Sequence, residues 1–94
     1  MTEPMLREVG LVAGGGRYPL LLAAEARRHG VTRLVIEGMH GETDPAIEKL
    51  ADEMHWLYVG QVGKGIKTFL RAGVRHVIFA GQVKPGRLFH GLRP

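Results

Sequence analysis

Short apolar runs alternate with amphipathic segments along this chain of 94 residues. Four runs have the length and composition of buried strands, and they cover residues 9–13, 33–37, 54–59 and 76–80. Helices are predicted between them, over residues 18–29, 44–51 and 61–72. In the last helix the spacing predicts a buried stripe of Val62, Ile66, Phe69 and Leu70. Loops are predicted elsewhere, including residues 38–43.

This alternation predicts an α/β domain with a parallel sheet that is covered on both faces. We expect a three-layer half of a Rossmann-like fold, with four parallel strands in the order 3-2-1-4. A crevice should then open between strands 1 and 4, at their carboxyl ends. The domain is predicted over residues 1–81. Residues 82–94 contain glycine and proline without apolar periodicity, which indicates a basic linker or tail leading to a further domain.

Three consecutive glycines, Gly14, Gly15 and Gly16, separate the first strand from the first helix. A glycine turn at this point is typical of nucleotide-binding units, because the N–H groups at the start of the helix attract anions. We therefore predict an anion held by the N–H groups of Gly15, Gly16 and Arg17. The third glycine of the dinucleotide fingerprint falls on Pro19, so a turn rich in glycine for steric reasons alone stays an alternative.

Charge is distributed unevenly along the chain. Residues 1–60 carry six Lys and Arg against nine Asp and Glu, whereas residues 61–94 carry seven Lys and Arg and no acid. An acid-free half indicates an anionic partner, with a solvated basic face as the alternative. Nucleic acid is disfavoured, since this half has only three aromatic residues. The sequence around Gly63 and Lys64 is not a phosphate-binding P-loop, but Lys64 is a candidate to meet an anion.

Several kinds of chemistry are excluded or disfavoured by the residues present. The chain contains no cysteine and no serine, so disulfides and the usual thiol and serine nucleophiles are excluded. His40, Glu42 and Asp44 alternate in one predicted loop without a second cluster, which does not favour a metal site. Glu37 follows the glycine turn by about twenty residues, where dinucleotide enzymes place a ribose-binding acid. The alternative for Glu37 is a solvated acid at a strand end.

Three stretches together resemble a known family. They are residues 11–19 (LVAGGGRYP), 59–67 (VGQVGKGIK) and 72–85 (AGVRHVIFAGQVKP). In this order they are similar to the N-terminal domain of one type of UDP-2,3-diacylglucosamine pyrophosphatase. The resemblance covers nearly the whole chain, and residues 80–85 are its most specific part.

The resemblance implies an enzyme of lipid A biosynthesis, with two domains and the substrate between them. Such enzymes hydrolyse UDP-2,3-diacylglucosamine to 2,3-diacylglucosamine 1-phosphate and UMP with a divalent metal such as Mg²⁺. Their essential acidic residues belong to a C-terminal catalytic domain, so we expect no catalytic residue in this chain and no activity from it alone. We also expect a cytoplasmic location, with at most a peripheral contact to the inner membrane.

The glycine turn and the residues after strand 4 are predicted to border one substrate-binding crevice. The predicted binding residues are Gly14, Gly15, Gly16, Arg17, Gly63, Lys64, Gly81, Gln82, Val83 and Lys84. A partner surface, facing the second domain or a homo-oligomer, is predicted around Val83, Leu88 and Phe89. Two other functions stay open: a NAD(P)-binding half-domain of an oxidoreductase that uses Glu37, and a non-catalytic module that binds anions or proteins.

Overall fold

The structure, a computed structural model, describes residues 7–82. Val83, Lys84, Leu88 and Phe89, which the sequence analysis singled out, lie outside the described residues. The elements, in chain order, are β1 (Glu8–Ala13), α1 (Tyr18–Arg28), β2 (Arg33–Met39), a short 3₁₀ helix (Pro45–Leu50), β3 (Glu53–Leu57), α2 (Val62–Ala72) and β4 (Val77–Ala80).

The four strands form one parallel sheet in the order β3-β2-β1-β4. The predicted α/β fold and strand order are therefore confirmed. β1 lies in the centre, pairing with β2 on one side and with β4 on the other. The chain crosses from β3 back to β4 through α2, so the strand order reverses next to β1. This reversal places the carboxyl ends of β1 and β4 side by side at a topological switch point.

The larger core lies between the sheet and the layer formed by α1 and the 3₁₀ helix. Leu11, Leu34 and Ile36 point from the sheet into this layer, where Ala23 and Ile47 meet them. All five side chains are almost completely buried. Burial of a Leu or Ile side chain stabilises a fold by roughly 1.5–3 kcal/mol, so this face supplies most of the apolar stabilisation.

The opposite face of the sheet is covered by α2 through a smaller cluster of Phe69, Val35 and Val74. The predicted buried stripe of α2 is wrong at two positions, because Ile66 is 56% and Leu70 is 69% exposed. The physical reason is that one helix lies over β1 and β2 and leaves the outer strand β4 uncovered on this face. The spacing of apolar residues identified the helix, but it did not show how much sheet lay beneath it.

The second strand runs past its predicted end, and its last residues correct the predicted loop over residues 38–43. Gly38 and Met39 belong to β2 and pair with Trp56 and Leu57. Gly38 is required there because a Cβ would lie 2.7 Å from the ring of Trp56. β3 begins at Glu53 and ends at Leu57, instead of running over the predicted residues 54–59.

The start of the second helical segment agrees with its prediction. The Asp44 side chain accepts a hydrogen bond from the N–H of Ala46 at 2.9 Å, as an N-cap does. The segment itself is a 3₁₀ helix over Pro45–Leu50. Its buried residue Ile47 anchors it to the larger core.

Gly10 provides a test of the packing beneath α2. A Cβ at this position would lie 2.6 Å from the Phe69 ring and 3.0 Å from Val74 Cγ1. We expect Gly10→Ala to lower the free energy of unfolding by about 1–3 kcal/mol, because the ring must move in a packed layer. Urea denaturation measures this change.

Gly63→Ala is the matched control, since a Cβ on Gly63 would meet no atom within 4 Å. Alanine also has the higher helix propensity, so this variant should be as stable as the wild type or slightly more stable. Equal stability of Gly10→Ala and the wild type would show that Phe69 does not pack on β1 as described.

Candidate functional site

Two stretches meet beside the carboxyl end of β1 and are joined by main-chain hydrogen bonds. The N–H of Gly14 donates to Ala80 O at 2.7 Å, and the N–H of Gly15 donates to Gln82 O at 2.6 Å. The N–H of Gln82 returns a bond of 3.1 Å to Gly15 O, which completes a small antiparallel bridge. The glycine turn and the segment after β4 thus lie in contact, while their role in binding stays a prediction.

The glycines of this turn are needed because main chains approach each other closely. A Cβ on Gly14 would lie 2.6 Å from Gln82 O, and a Cβ on Gly15 would lie 3.0 Å from Glu42 O. Gly81 has φ +100°, and its Cβ would lie 2.8 Å from Gly15 O. The steric explanation therefore holds at these positions, and substituting any of them would push the crevice walls apart.

Thr43 fixes the loop after β2 to the same place, and sequence reasoning did not identify it. Its buried hydroxyl donates to Ala13 O and accepts the N–H of Met39 at 2.7 Å. One side chain thus joins the ends of β1 and β2. Glu42 O lies above Gly15 as a consequence. A threonine in a predicted loop carries no local signal for a bond to a residue thirty positions away.

These bonds change the predicted set of anion donors. The N–H of Gly15 is occupied by Gln82, so it is not available to a ligand without breaking the bridge. Among residues 7–82, no hydrogen bond is recorded from the N–H of Gly16 or of Arg17. Arg17 is the N-cap of α1, and the first turn of this helix contains no acidic residue. No acidic side chain of the helix's own first turn therefore offsets the positive end of the helix dipole.

A crevice of about 340 Å³ opens next to this helix start, at the switch point between β1 and β4. Its walls are mostly apolar, and they are formed by Val12, Gly14, Tyr18, Met39, Phe79, Ala80 and Gly81. An apolar cleft with N–H donors at one end is suited to an amphiphilic ligand that carries a negative charge.

The structure does not place every predicted binding residue at this crevice. Of the predicted residues, Gly14 and Gly81 line it, whereas Gly15, Gly16, Arg17 and Gln82 are not among its lining residues. Gly63 and Lys64 are exposed in the first turn of α2 and do not line it either. Val83 and Lys84 lie outside the described residues. The crevice walls also include Tyr18, Met39 and Phe79, which the sequence analysis did not select because apolar side chains carry no distinctive motif.

Glu37 lies on the α2 face of the sheet and does not extend into solvent. It is 2% exposed, and a Cβ on Gly65 of α2 would lie 2.7 Å from its Oε1 atom. Within the described part of the chain, Oε2 has no hydrogen-bond partner. Burial raises the pKa of Glu37 to about 7, against an opposing effect of His55 on the neighbouring strand. The alternative of a solvated acid is wrong, and the carboxyl group does not face the crevice.

Residues 8–94 match the family model described as the LpxI N-terminal domain. The chain belongs to the LpxI N-terminal domain family. LpxI proteins are enzymes of the lipid A pathway, which agrees with the resemblance that the three sequence stretches indicated. No curated protein and no solved structure gives a significant match to this LpxI N-terminal domain.

Two further observations concern membranes and metals. Over residues 7–82 of this LpxI N-terminal domain, no helix is long and apolar enough to span a bilayer. No three His, Asp or Glu side chains in the same range are grouped as metal ligands. His40, from the alternating loop, instead packs against Tyr58, with ring centroids 4.4 Å apart.

The buried Glu37 makes stability depend on pH. Because its folded-state pKa is raised, its contribution to stability is complete below about pH 4.5 and is lost as pH rises through about 7. The Gln side chain of Glu37→Gln cannot ionise. The free energy of unfolding of this variant, relative to the wild type, should therefore increase between pH 5 and pH 8, by at most about 3 kcal/mol. Urea denaturation at the two pH values measures the gain.

Glu25→Gln is the control, because Glu25 is an exposed carboxylate that pairs with Arg28 at 2.7 Å on the surface of α1. Glu25→Gln should change the free energy of unfolding by less than about 1 kcal/mol at either pH. A difference between Glu37→Gln and the wild type that does not change from pH 5 to pH 8 would mean that the Glu37 carboxyl is solvated in the folded protein.

Proposed function

We propose that this chain is the substrate-binding domain of a UDP-2,3-diacylglucosamine pyrophosphatase. Such an enzyme hydrolyses its substrate to 2,3-diacylglucosamine 1-phosphate and UMP. Membership of the LpxI N-terminal domain family supports a place in lipid A biosynthesis. The observation that carries the finer proposal is the apolar crevice at the switch point, which is lined by Tyr18, the first residue of α1. Gly16 and Arg17 directly precede Tyr18, and no hydrogen bond is recorded from their N–H groups among residues 7–82. The proposed substrate combines a pyrophosphate, which suits N–H donors, with a lipid, which suits apolar walls.

In this proposal the pyrophosphate binds at the start of α1. The N–H groups of Gly16 and Arg17 point toward the anion, and the Arg17 side chain adds a full positive charge. Arg17 is exposed, and none of the ion pairs recorded for residues 7–82 involves it. A helix N-terminus contributes roughly 0.3–1 kcal/mol when exposed and up to ~2 kcal/mol when partly buried. The domain alone should therefore bind weakly, in the millimolar range.

The contribution of this domain is binding and orientation of the substrate. Hydrolysis transfers the phosphoryl group to water, which needs a group that accepts a proton from the water and cations that neutralise the developing charge. Mg²⁺ is implied by the resemblance, but residues 7–82 do not provide a group of ligands for it. We assign the metal and the water-activating acids to a C-terminal catalytic domain, so the chain alone should release no UMP.

A NAD(P)-binding half-domain is less well supported. That function would use Glu37 to bind a ribose hydroxyl at the edge of the sheet. The Glu37 carboxyl instead lies beneath α2, next to Gly65, where a ribose cannot reach it without displacing the helix. A non-catalytic anion-binding module would use the same crevice, and substrate preference is what separates it from the pyrophosphatase domain.

The proposed surroundings of the domain follow from its substrate. A diacylated sugar nucleotide is a membrane lipid with a soluble head, so we propose a cytoplasmic domain with at most a peripheral contact to the inner membrane. Its proposed macromolecular partner is the catalytic domain, and self-association as a homo-oligomer is a second possibility. Nucleic acid is not a proposed partner.

Calorimetric titration at low salt tests the proposal. We expect weak binding of UMP and UDP-N-acetylglucosamine that declines as salt is added, and weaker binding of NAD. Arg17→Ala should reduce the affinity for UMP roughly three- to tenfold, because one charged donor is lost.

Arg28→Ala is the matched control, because Arg28 is exposed at the far end of α1 and pairs with Glu25. It should leave the affinity for UMP unchanged. The proposal is wrong if NAD binds more tightly than the uridine nucleotides. Equal losses of UMP affinity in the Arg17 and Arg28 variants would show that binding depends only on the net charge of the domain and not on a site at the start of α1.

A further inference from the structure

Glu37 is a buried carboxyl group in the interior of the sheet. β2 lies between β1 and β3, and Glu37 pairs there with Val12 and His55. The side chain of Glu37 is 2% exposed, and within residues 7–82 its Oε2 atom has no hydrogen-bond partner. A carboxylate without a partner is much more costly to bury than a neutral carboxylic acid. The closed structure therefore favours the protonated form of Glu37.

The amino-terminal half of α2, residues 63–67, covers this carboxyl group. A Cβ on Gly65 would lie 2.7 Å from Glu37 Oε1 and 3.4 Å from Leu57 Cδ1. Of residues 63–67, Gly65 is buried and the other four are exposed. This half of the helix therefore meets the sheet at Gly65, directly over Glu37. Water reaches the carboxyl group when these residues move away from the sheet.

The same half of α2 has little stability of its own. It contains Gly63 and Gly65, and glycine is among the least favourable residues in a helix interior. The N-cap residue Gln61 makes no side-chain hydrogen bond to the helix, and the first turn contains no acidic residue. The other half of α2 is anchored, because Phe69 packs with Val35 in the smaller core cluster. The amino-terminal half can thus separate from the sheet while the rest of α2 stays in place.

Burial, and not a neighbouring charge, dominates the pKa of Glu37. Burial raises this pKa to about 7, and His55 on β3 opposes the effect. His55 Nε2 itself lies 2.6 Å from Glu53 Oε2. On the other side, β1 presents the apolar Val12 at the paired position. The remaining charged side chains of β2 and α2 are Arg33, which pairs with Glu8 and Glu53, and the exposed Lys64, Lys67 and Arg71.

We propose that Glu37 and the amino-terminal half of α2 form a proton-dependent switch: this half of the helix docks on the sheet when the Glu37 carboxyl group is protonated and moves away when the group ionises. The docked state binds a proton that the open state releases, so docking is most stable at low pH. With a pKa of about 7 when docked and the ordinary value of 4.5 when hydrated, opening should become roughly ten times more favourable between pH 6 and pH 8. This movement is local, whereas the pH effect on stability concerns unfolding of the whole domain.

Native-state hydrogen exchange, followed by NMR at pH 6 and pH 8, tests this switch. Protection factors, which are corrected for the intrinsic exchange rate at each pH, should fall roughly tenfold for the amides of Ile66 and Lys67. Low concentrations of urea should hardly change these values, since a local opening exposes little surface. The slowest amides of β1 exchange through unfolding of the whole domain, so their protection should fall steeply with urea.

Glu37→Gln should keep the protection of Ile66 and Lys67 constant from pH 6 to pH 8. His55→Gln is the matched control, because histidine is the other kind of side chain near Glu37 that changes charge in this range, and this variant should keep the tenfold fall. Wild-type protection that does not change with pH overturns the switch, as does a fall that persists in Glu37→Gln or disappears in His55→Gln. The wild type and His55→Gln decide the question if Glu37→Gln does not fold. The switch is also wrong if the α2 and β1 amides respond identically to urea, since the opening is then unfolding of the whole domain.

Discussion

The close approach of two main-chain segments at the carboxyl edge of the sheet is the constraint on which the site depends. Gly14 and Gly15 lie against Gln82, and three N–H···O bonds join them and Ala80. Such an approach leaves no room for a Cβ, which is why the turn consists of glycine. The bridge holds the start of α1 beside the end of β4 and so opens a crevice instead of a packed loop.

The bridge also determines which backbone N–H groups of the turn are already bonded within the protein and which have no recorded partner. A glycine turn is often read as a row of free N–H donors, yet here the donors of Gly14 and Gly15 satisfy carbonyl groups of the protein. The donors without a recorded partner belong to Gly16 and Arg17, one step closer to the helix. Steric and functional explanations of the glycines are therefore compatible: Gly14 and Gly15 build the crevice, and Gly16 and Arg17 are the residues that we propose to face a ligand.

The strand pattern could be predicted from sequence, because short apolar runs are encoded locally, and the strand order followed because right-handed crossovers leave few topologies. The extent of β2 could not, since Gly38 belongs to the sheet only because Trp56 packs over it. Thr43 and Asp52 were missed for a similar reason. Asp52 accepts the N–H of Leu34 and the guanidinium of Arg27, and these long-range bonds leave no periodic signal. The exposure of Leu70 depends on the width of sheet that one helix can cover.

The central claim is that UMP binds at the start of α1, beside the bridge between Gly15 and Gln82. Mapping backbone amide shifts by NMR during a titration with UMP tests it most directly. The account predicts the largest shifts at Gly16, Arg17 and Tyr18, with smaller ones at Gly81. Largest shifts in the polar depression around Arg33, His55 and Arg71, on the other side of α2, would contradict it.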